Sequence, residues 1–173
     1  MQYAHGGDIY TYKNLLDFSI NVNPLGPADA VVEAAARSLQ RIGEYPDSQS
    51  RELRNALAEK KGLAAEQFVI GNGAADLLFS LVLAEKPQKA MIVIPAFSEY
   101  EQALKTVGCE ILYHEVKKEN NFRLGTDLTE KITSELDFLF LCSPSNPAGQ
   151  AVEKEFLIKI AEKCEKERVR LVL

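Results

Sequence analysis

Three short, nearly continuous apolar runs alternate with segments of helical spacing, and that alternation narrows the folds open to this chain. The runs are Met91-Ile92-Val93-Ile94, Leu136 to Cys142 with Phe138-Leu139-Phe140-Leu141 inside it, and Val169 to Leu173. Each is too short for a helix and lacks a polar alternate face, so each predicts a strand buried on both sides. Glu110 to Val116 predicts another strand. The segments between them repeat at helical intervals: Tyr100, Leu104 and Val107, closed by Gly108, and later Phe156, Ile160, Ala161 and Cys164. Strands that alternate with helices predict an α/β fold. Its form is a three-layer sandwich around a mostly parallel central sheet.

Upstream of this pattern, Val32, Ala35, Leu39 and Ile42 share one helix face, with Pro27 fit for a first turn and Gly43 as a stop. Glu44-Tyr45-Pro46-Asp47 reads as a turn. A second helix carries Leu53, Ala56 and Leu57 and stops at Gly62. Residues 1–26 are irregular, with turn signals at Asn23-Pro24 and Gly26-Pro27.

Phe68 to Ala84 is the stretch with most chemical meaning. Phe68-Val69-Ile70 predicts a short strand, Gly71-Asn72-Gly73 a turn, and Ala74 onward a buried, largely apolar helix. A helix that starts in a glycine turn directs free N–H groups and the positive end of its dipole outward, which suits a phosphate. An ordinary strand-to-helix turn has the same residues, and both readings stay open here. The dinucleotide fingerprint fails because Asp76 stands where its third glycine belongs, and no Gly-Lys-Ser/Thr follows for a P-loop. In a parallel sheet, ligands bind beyond the carboxyl ends of the strands. The loops expected there are Gly71 to Asp76, Pro95 to Phe97, and Ser143 to Gly149. They offer an anion cradle, an aromatic ring and an asparagine, Asn146, between two prolines. That set suits a flat, phosphorylated, aromatic ligand. Phe97 as a core aromatic and Asn146 as a turn residue are the plainer alternatives, and His5 alone reads as a frayed terminal residue.

Composition removes other classes. The chain has 173 residues, 46% hydrophobic and 26% charged, with a net charge of −5. A nucleic-acid surface calls for a basic face, so no nucleic-acid partner is expected. No apolar run approaches a membrane span. The three cysteines are far apart, which predicts reduced thiols and a cytoplasmic protein. Two histidines make a multi-histidine metal site unexpected.

Five stretches together resemble the fold-type-I, pyridoxal-phosphate-dependent aminotransferases of class I/II. They are Asn21-Val22-Asn23-Pro24-Leu25-Gly26-Pro27, Tyr45-Pro46-Asp47, Gly71-Asn72-Gly73-Ala74-Ala75-Asp76, Pro95-Ala96-Phe97-Ser98-Glu99-Tyr100, and Ser143-Pro144-Ser145-Asn146-Pro147-Ala148-Gly149. They occur in the family order and span nearly the whole chain. Two branches fit best, the threonine-phosphate decarboxylases of cobalamin biosynthesis and the histidinol-phosphate aminotransferases. His5-Gly6-Gly7-Asp8, Leu16-Asp17-Phe18-Ser19-Ile20-Asn21 and Phe97 in place of tyrosine resemble the decarboxylase branch.

The resemblance implies pyridoxal 5'-phosphate as cofactor. It places Gly73 and the backbone N–H groups of Ala74 and Ala75 at the cofactor phosphate, Phe97 against the ring and Asn146 at the ring's phenolic oxygen. It implies that Tyr45 reaches the phosphate in a neighbouring subunit, hence a homodimer. His5, Gly6, Asn21 and Asn146 are implied as substrate contacts, the substrate being a small phosphorylated amino acid. Residues 1–50 would form an arm and first helix with substrate and dimer contacts, and 51–173 the first part of the cofactor-binding large domain. The activity implied is a lyase, releasing CO₂ from L-threonine O-3-phosphate to form (R)-1-aminopropan-2-yl phosphate. A histidinol-phosphate-type transferase and a non-catalytic module of the same fold are the alternatives.

The resemblance also implies a cofactor-tethering lysine, usually within Ser-x-x-Lys, and an aspartate for the pyridine nitrogen. No lysine here has that context, and the chain ends within the strand after which both would come. The expectation is therefore an N-terminal piece of a longer enzyme, without a catalytic residue or activity of its own.

Overall fold

The computed structural model describes residues 6–13 and 15–173. It divides into two compact units, Met1–Phe68 and Val69–Leu173.

In the first unit, helix α1 spans Asp29–Ser38 and continues into a 3-10 turn at Leu39–Arg41. Helix α2 spans Arg51–Lys61 and stops where Gly62 turns left-handed. Asp47 starts α2 from outside, because its carboxylate accepts the N–H groups of Gln49 (3.1 Å) and Arg51 (2.9 Å). Arg54 Nε donates to the Ala65 carbonyl at 3.0 Å and so pins the chain that follows α2. Neither helix has a buried residue, and Val31, Val32, Leu39 and Ile42 remain exposed.

The second unit contains α3 (Gly73–Glu85), β1 (Lys89–Ile94), α4 (Ser98–Thr106), β2 (Glu110–Glu115), α5 (Leu128–Lys131), β3 (Phe138–Phe140), α6 (Lys154–Glu167) and β4 (Arg170–Val172). The strands form one sheet in the order β2-β1-β3-β4, every pair parallel. The fold class expected from the sequence is the one observed.

The period of two in a strand explains why the apolar runs have no polar face. Met91, Val93, Leu139 and Leu141 point to one side and pack with Leu128 and Ile132 near α5 and with Ile160 and Cys164 on α6. Ala90, Ile92, Phe138 and Phe140 point to the other and pack with Val82 of α3 and Tyr100, Ala103 and Leu104 of α4. Burying each large side chain of this set contributes roughly 1.5–3 kcal/mol. A polar clamp holds the other end of the sheet. Asp137 Oδ2 accepts the N–H groups of Gln88 (2.7 Å) and Lys89 (3.0 Å), which ties the entry of β3 to the entry of β1.

Three expectations change. Phe68 to Ile70 does not form a strand. Phe68 is extended, but the four strands pair only with one another, and an extended segment without a ladder partner is not a strand. The strand expected from Leu136 to Cys142 is limited to Phe138–Phe140, because its partner β4 pairs with only those residues. Helix α3 is not buried all round: Val82 is its one buried residue and Leu83 is exposed, since α4 covers a single face.

Candidate functional site

A short connection, residues 86–88, links α3 to β1, so α3 packs antiparallel to that strand. Thirteen helical residues and six strand residues have similar lengths, about 20 Å each. The N-terminus of α3 therefore lies at the carboxyl end of the sheet. Strand β1 leaves the sheet at that end into Pro95-Ala96-Phe97, and β3 leaves it into residues 141–149. The two strands are neighbours in the sheet, yet the chain goes from β1 outward to β2 and returns across β1 to β3. A reversal of this kind opens a crevice between the two loops. Gly73, Ala74, Ala75, Phe97 and Asn146 thus share one end of one unit.

The local chemistry of each is defined. Gly73 has φ +85°, a left-handed value that a side chain strains, and its N–H donates to the Gly71 carbonyl at 3.0 Å. Asp76 Oδ2 accepts the Asn72 N–H at 2.8 Å and closes the turn. Ala74 and Ala75, exposed and half-buried, are in the first helical turn, where N–H groups have no partner within the helix. Phe97 is half-buried and meets Tyr100 edge-on at 6.0 Å, so its ring is braced by the core without being enclosed.

Tyr100 packs in turn on Phe140 at 5.1 Å. Burial pushes its phenol up to about 12, with Cys142 reinforcing the shift, so Tyr100 remains protonated.

The loop after β3 makes its own turn bonds. Val152 N–H donates to Ser143 Oγ (2.9 Å), Ser145 N–H to the Gln150 carbonyl and Gly149 N–H to the Ser145 carbonyl (both 2.7 Å). No hydrogen bond among the described residues uses the Asn146 side chain, which is exposed. Asn146 lies within this turn, and its side-chain amide takes no part in the turn's bonds.

The other expected residues belong to the first unit. Tyr45 is fully exposed, at 101%. Gly6 and Asn21 are exposed, and His5 lies outside the described residues. The arm surrounds a pocket of about 340 Å³ whose lining includes Gly6, Tyr12, Leu16, Asp17 and Ser19. Sequence reading missed the bonds of Asp17 and Ser19, although Asp-x-Ser in a glycine-flanked arm is a signal for local side-chain-to-backbone bonding.

Among the described residues, no group of His, Cys, Asp and Glu could hold a metal ion, and no helix is long and apolar enough to cross a membrane. Cys109, Cys142 and Cys164 are free thiols. Burial pushes Cys109 and Cys164 up to about 11, which makes them unreactive.

A helix N-terminus, a braced aromatic ring and an unengaged amide thus stand at one end of a parallel sheet in an α/β protein. The chain belongs to the aminotransferase class I and II family, whose pattern matches residues 13–173. It is 38% identical to a threonine-phosphate decarboxylase of Salmonella typhimurium, over 98% of this chain and 49% of that protein. It is 35% identical to a histidinol-phosphate aminotransferase of Methanococcoides burtonii, over 86% of this chain and 42% of that protein. The crystal structure of the histidinol-phosphate aminotransferase from Clostridium acetobutylicum superimposes with a TM-score of 0.79 at 26% identity, over 91% of this chain and 46% of that one. The chain spans about half the length of the curated relatives it matches.

Proposed function

We propose that this chain is the N-terminal part of a pyridoxal-phosphate-dependent enzyme that decarboxylates L-threonine O-3-phosphate to (R)-1-aminopropan-2-yl phosphate for cobalamin synthesis in the cytoplasm. The observation that carries the reading is the 38% identity with a threonine-phosphate decarboxylase over 98% of this chain. The His5-Gly6-Gly7-Asp8 start and Phe97 support the same branch.

The residues present suit the cofactor. The first-turn N–H groups of Ala74 and Ala75 would take its phosphate, helped by the helix dipole and by the left-handed turn at Gly73. Phe97, braced by Tyr100, would pack against its ring, and the unengaged amide of Asn146 would donate to a ring oxygen. Tyr45, exposed over its whole surface, would reach the phosphate in the partner subunit of a homodimer. When bound, the cofactor supplies an electron sink for the bond that breaks at the substrate Cα. His5, Gly6, Asn21 and Asn146 would hold the substrate and decide which Cα bond lies in line to break. Residues 1–50 would act as the substrate and dimer arm, and 51–173 as the first part of the cofactor domain.

The test is CO₂ release by the complete protein. With pyridoxal phosphate and O-phosphothreonine it should proceed without any keto acid. The match to a histidinol-phosphate aminotransferase favours a second reading. Amine transfer from histidinol phosphate to 2-oxoglutarate, with no CO₂ from O-phosphothreonine, would establish that reading and overturn ours.

A further inference from the structure

The arm contains a bonded tie that neither family membership nor the proposed activity calls for. Gly7 N–H donates to Ser19 Oγ at 2.8 Å, across twelve residues. The Ser19 hydroxyl donates onward to Asp17 Oδ1 at 2.5 Å, and Ser19 N–H reaches the same oxygen at 2.7 Å. Ser19 Oγ is thus both acceptor and donor, and Asp17 fixes its direction. The Asp17 carboxyl is held below the usual carboxylate range, first by the Ser19 hydroxyl and then by the Ser19 N–H. The contact is also steric. A Cβ on Gly6 would stand 2.2 Å from the Ser19 carbonyl oxygen and 2.6 Å from Ser19 Oγ, so only glycine admits this approach. Gly6 and Gly7 lie directly against Ser19 and Ile20. Asn21, two residues beyond Ser19, is within about 7 Å of it along the chain.

We infer that Ser19 is a positioning residue, whose hydroxyl locks the Gly6-Gly7 segment to the Ser19-Ile20-Asn21 segment so that both present their substrate contacts as one preformed surface. The inference rests on the reading that Gly6 and Asn21 contact the substrate. Without the tie, two irregular segments have to be ordered by the substrate itself, and that cost appears in binding. The chemistry at Cα does not involve Ser19.

In the complete protein, Ser19→Ala should raise KM for O-phosphothreonine about fivefold, the effect of one ordinary hydrogen bond, with kcat changed less than about twofold. Ser19→Thr keeps the hydroxyl and should restore KM. Amide hydrogen exchange at Gly7, measured without substrate or cofactor, should accelerate about fivefold in Ser19→Ala and not in Ser19→Thr. Asn21→Ala separates the two levels of the claim. An unchanged KM in Ser19→Ala beside a raised KM in Asn21→Ala overturns the positioning role and leaves the substrate-contact reading standing. An unchanged KM in Asn21→Ala overturns that reading and the positioning role with it. A Ser19→Thr variant as poor as Ser19→Ala also overturns the inference, because the hydroxyl would then not be the active group.

Discussion

The unit Val69–Leu173 and the unit Met1–Phe68 have comparable helical patterns and opposite fates. Every buried residue among those described belongs to the former. Helices α4 and α6 bury their apolar stripes against the sheet, whereas α1 leaves Val31 (60%) and Val32 (51%) exposed and is followed by Leu39 (63%) and Ile42 (80%). The lesson is that an amphipathic pattern specifies a helix and the face it would bury, but burial needs a matching surface. In the second unit the sheet is that surface. The first unit is held by local polar bonds instead, such as Asp47 at the start of α2 and Arg54 to the Ala65 carbonyl.

The comparison predicts unequal costs. Leu139→Ala, in the middle of the sheet and fully buried, should cost about 2–5 kcal/mol in urea unfolding. Leu39→Ala should stay within about 0.5 kcal/mol, as exposed substitutions do. A Leu39 variant that loses as much as the Leu139 variant would break the contrast.

A smaller effect comes from His114 of β2, a buried polar residue at 3% exposure. Lys131 Nζ lies 3.1 Å from its Nδ1 and 3.0 Å from Asp127 Oδ2. An ammonium can only donate, so Nδ1 accepts and the imidazole is neutral. Burial first, then Lys131, push the His114 pKa below its ordinary 6.5, against a smaller opposing pull from Asp127. The unfolded chain then binds the extra proton. This contribution is fully present above pH 6.5 and is lost as pH falls through the folded value. The slope cannot exceed about 1.4 kcal/mol per pH unit for one proton. Thermal unfolding of wild type and His114→Gln between pH 5 and 8 should give curves that converge in acid. Parallel curves would show that His114 does not titrate on unfolding.

Asp137→Ala removes the acceptor for the Gln88 and Lys89 N–H groups and should cost about 1 kcal/mol. A loss confined to the ends of β1 and β3 in hydrogen exchange would sharpen its role as a clamp. The smallest effect should be a gain. Arg168 caps α6 at φ 60°, a left-handed value without the glycine that suits it. Arg168→Gly should add about 0.5–1 kcal/mol in thermal unfolding.

Much of the second unit was legible because its signals are local. Solid apolar runs marked strands with two covered faces, and Gly108 marked a helix stop. The loops carrying Phe97 and Asn146 followed from the rule that sites form beyond strand ends, whereas the Gly73 turn was expected after a strand that does not form and reaches the same end through the packing of α3. The partnerless Phe68 to Ile70 and the one-sided cover of α3 were not legible, because both depend on what lies beside them. The Gly7–Ser19 tie escaped for the same reason: twelve residues separate its ends, and only closure of the arm brings them together.

The sequence by itself determined an α/β chain with parallel strands, the helix that follows the Gly71-Asn72-Gly73 turn, and five stretches in the order of one enzyme family. These depend on side-chain period and backbone preference, which act over a few residues. Tertiary structure alone decided that β1 and β3 are neighbours, that Phe97 rests on Tyr100 while Asn146 keeps a free amide, and that Ser19 holds the arm. The strand pairing and the Gly7–Ser19 tie join residues distant in the chain, and all of these features depend on the fit of whole surfaces and on where each polar group finds a partner.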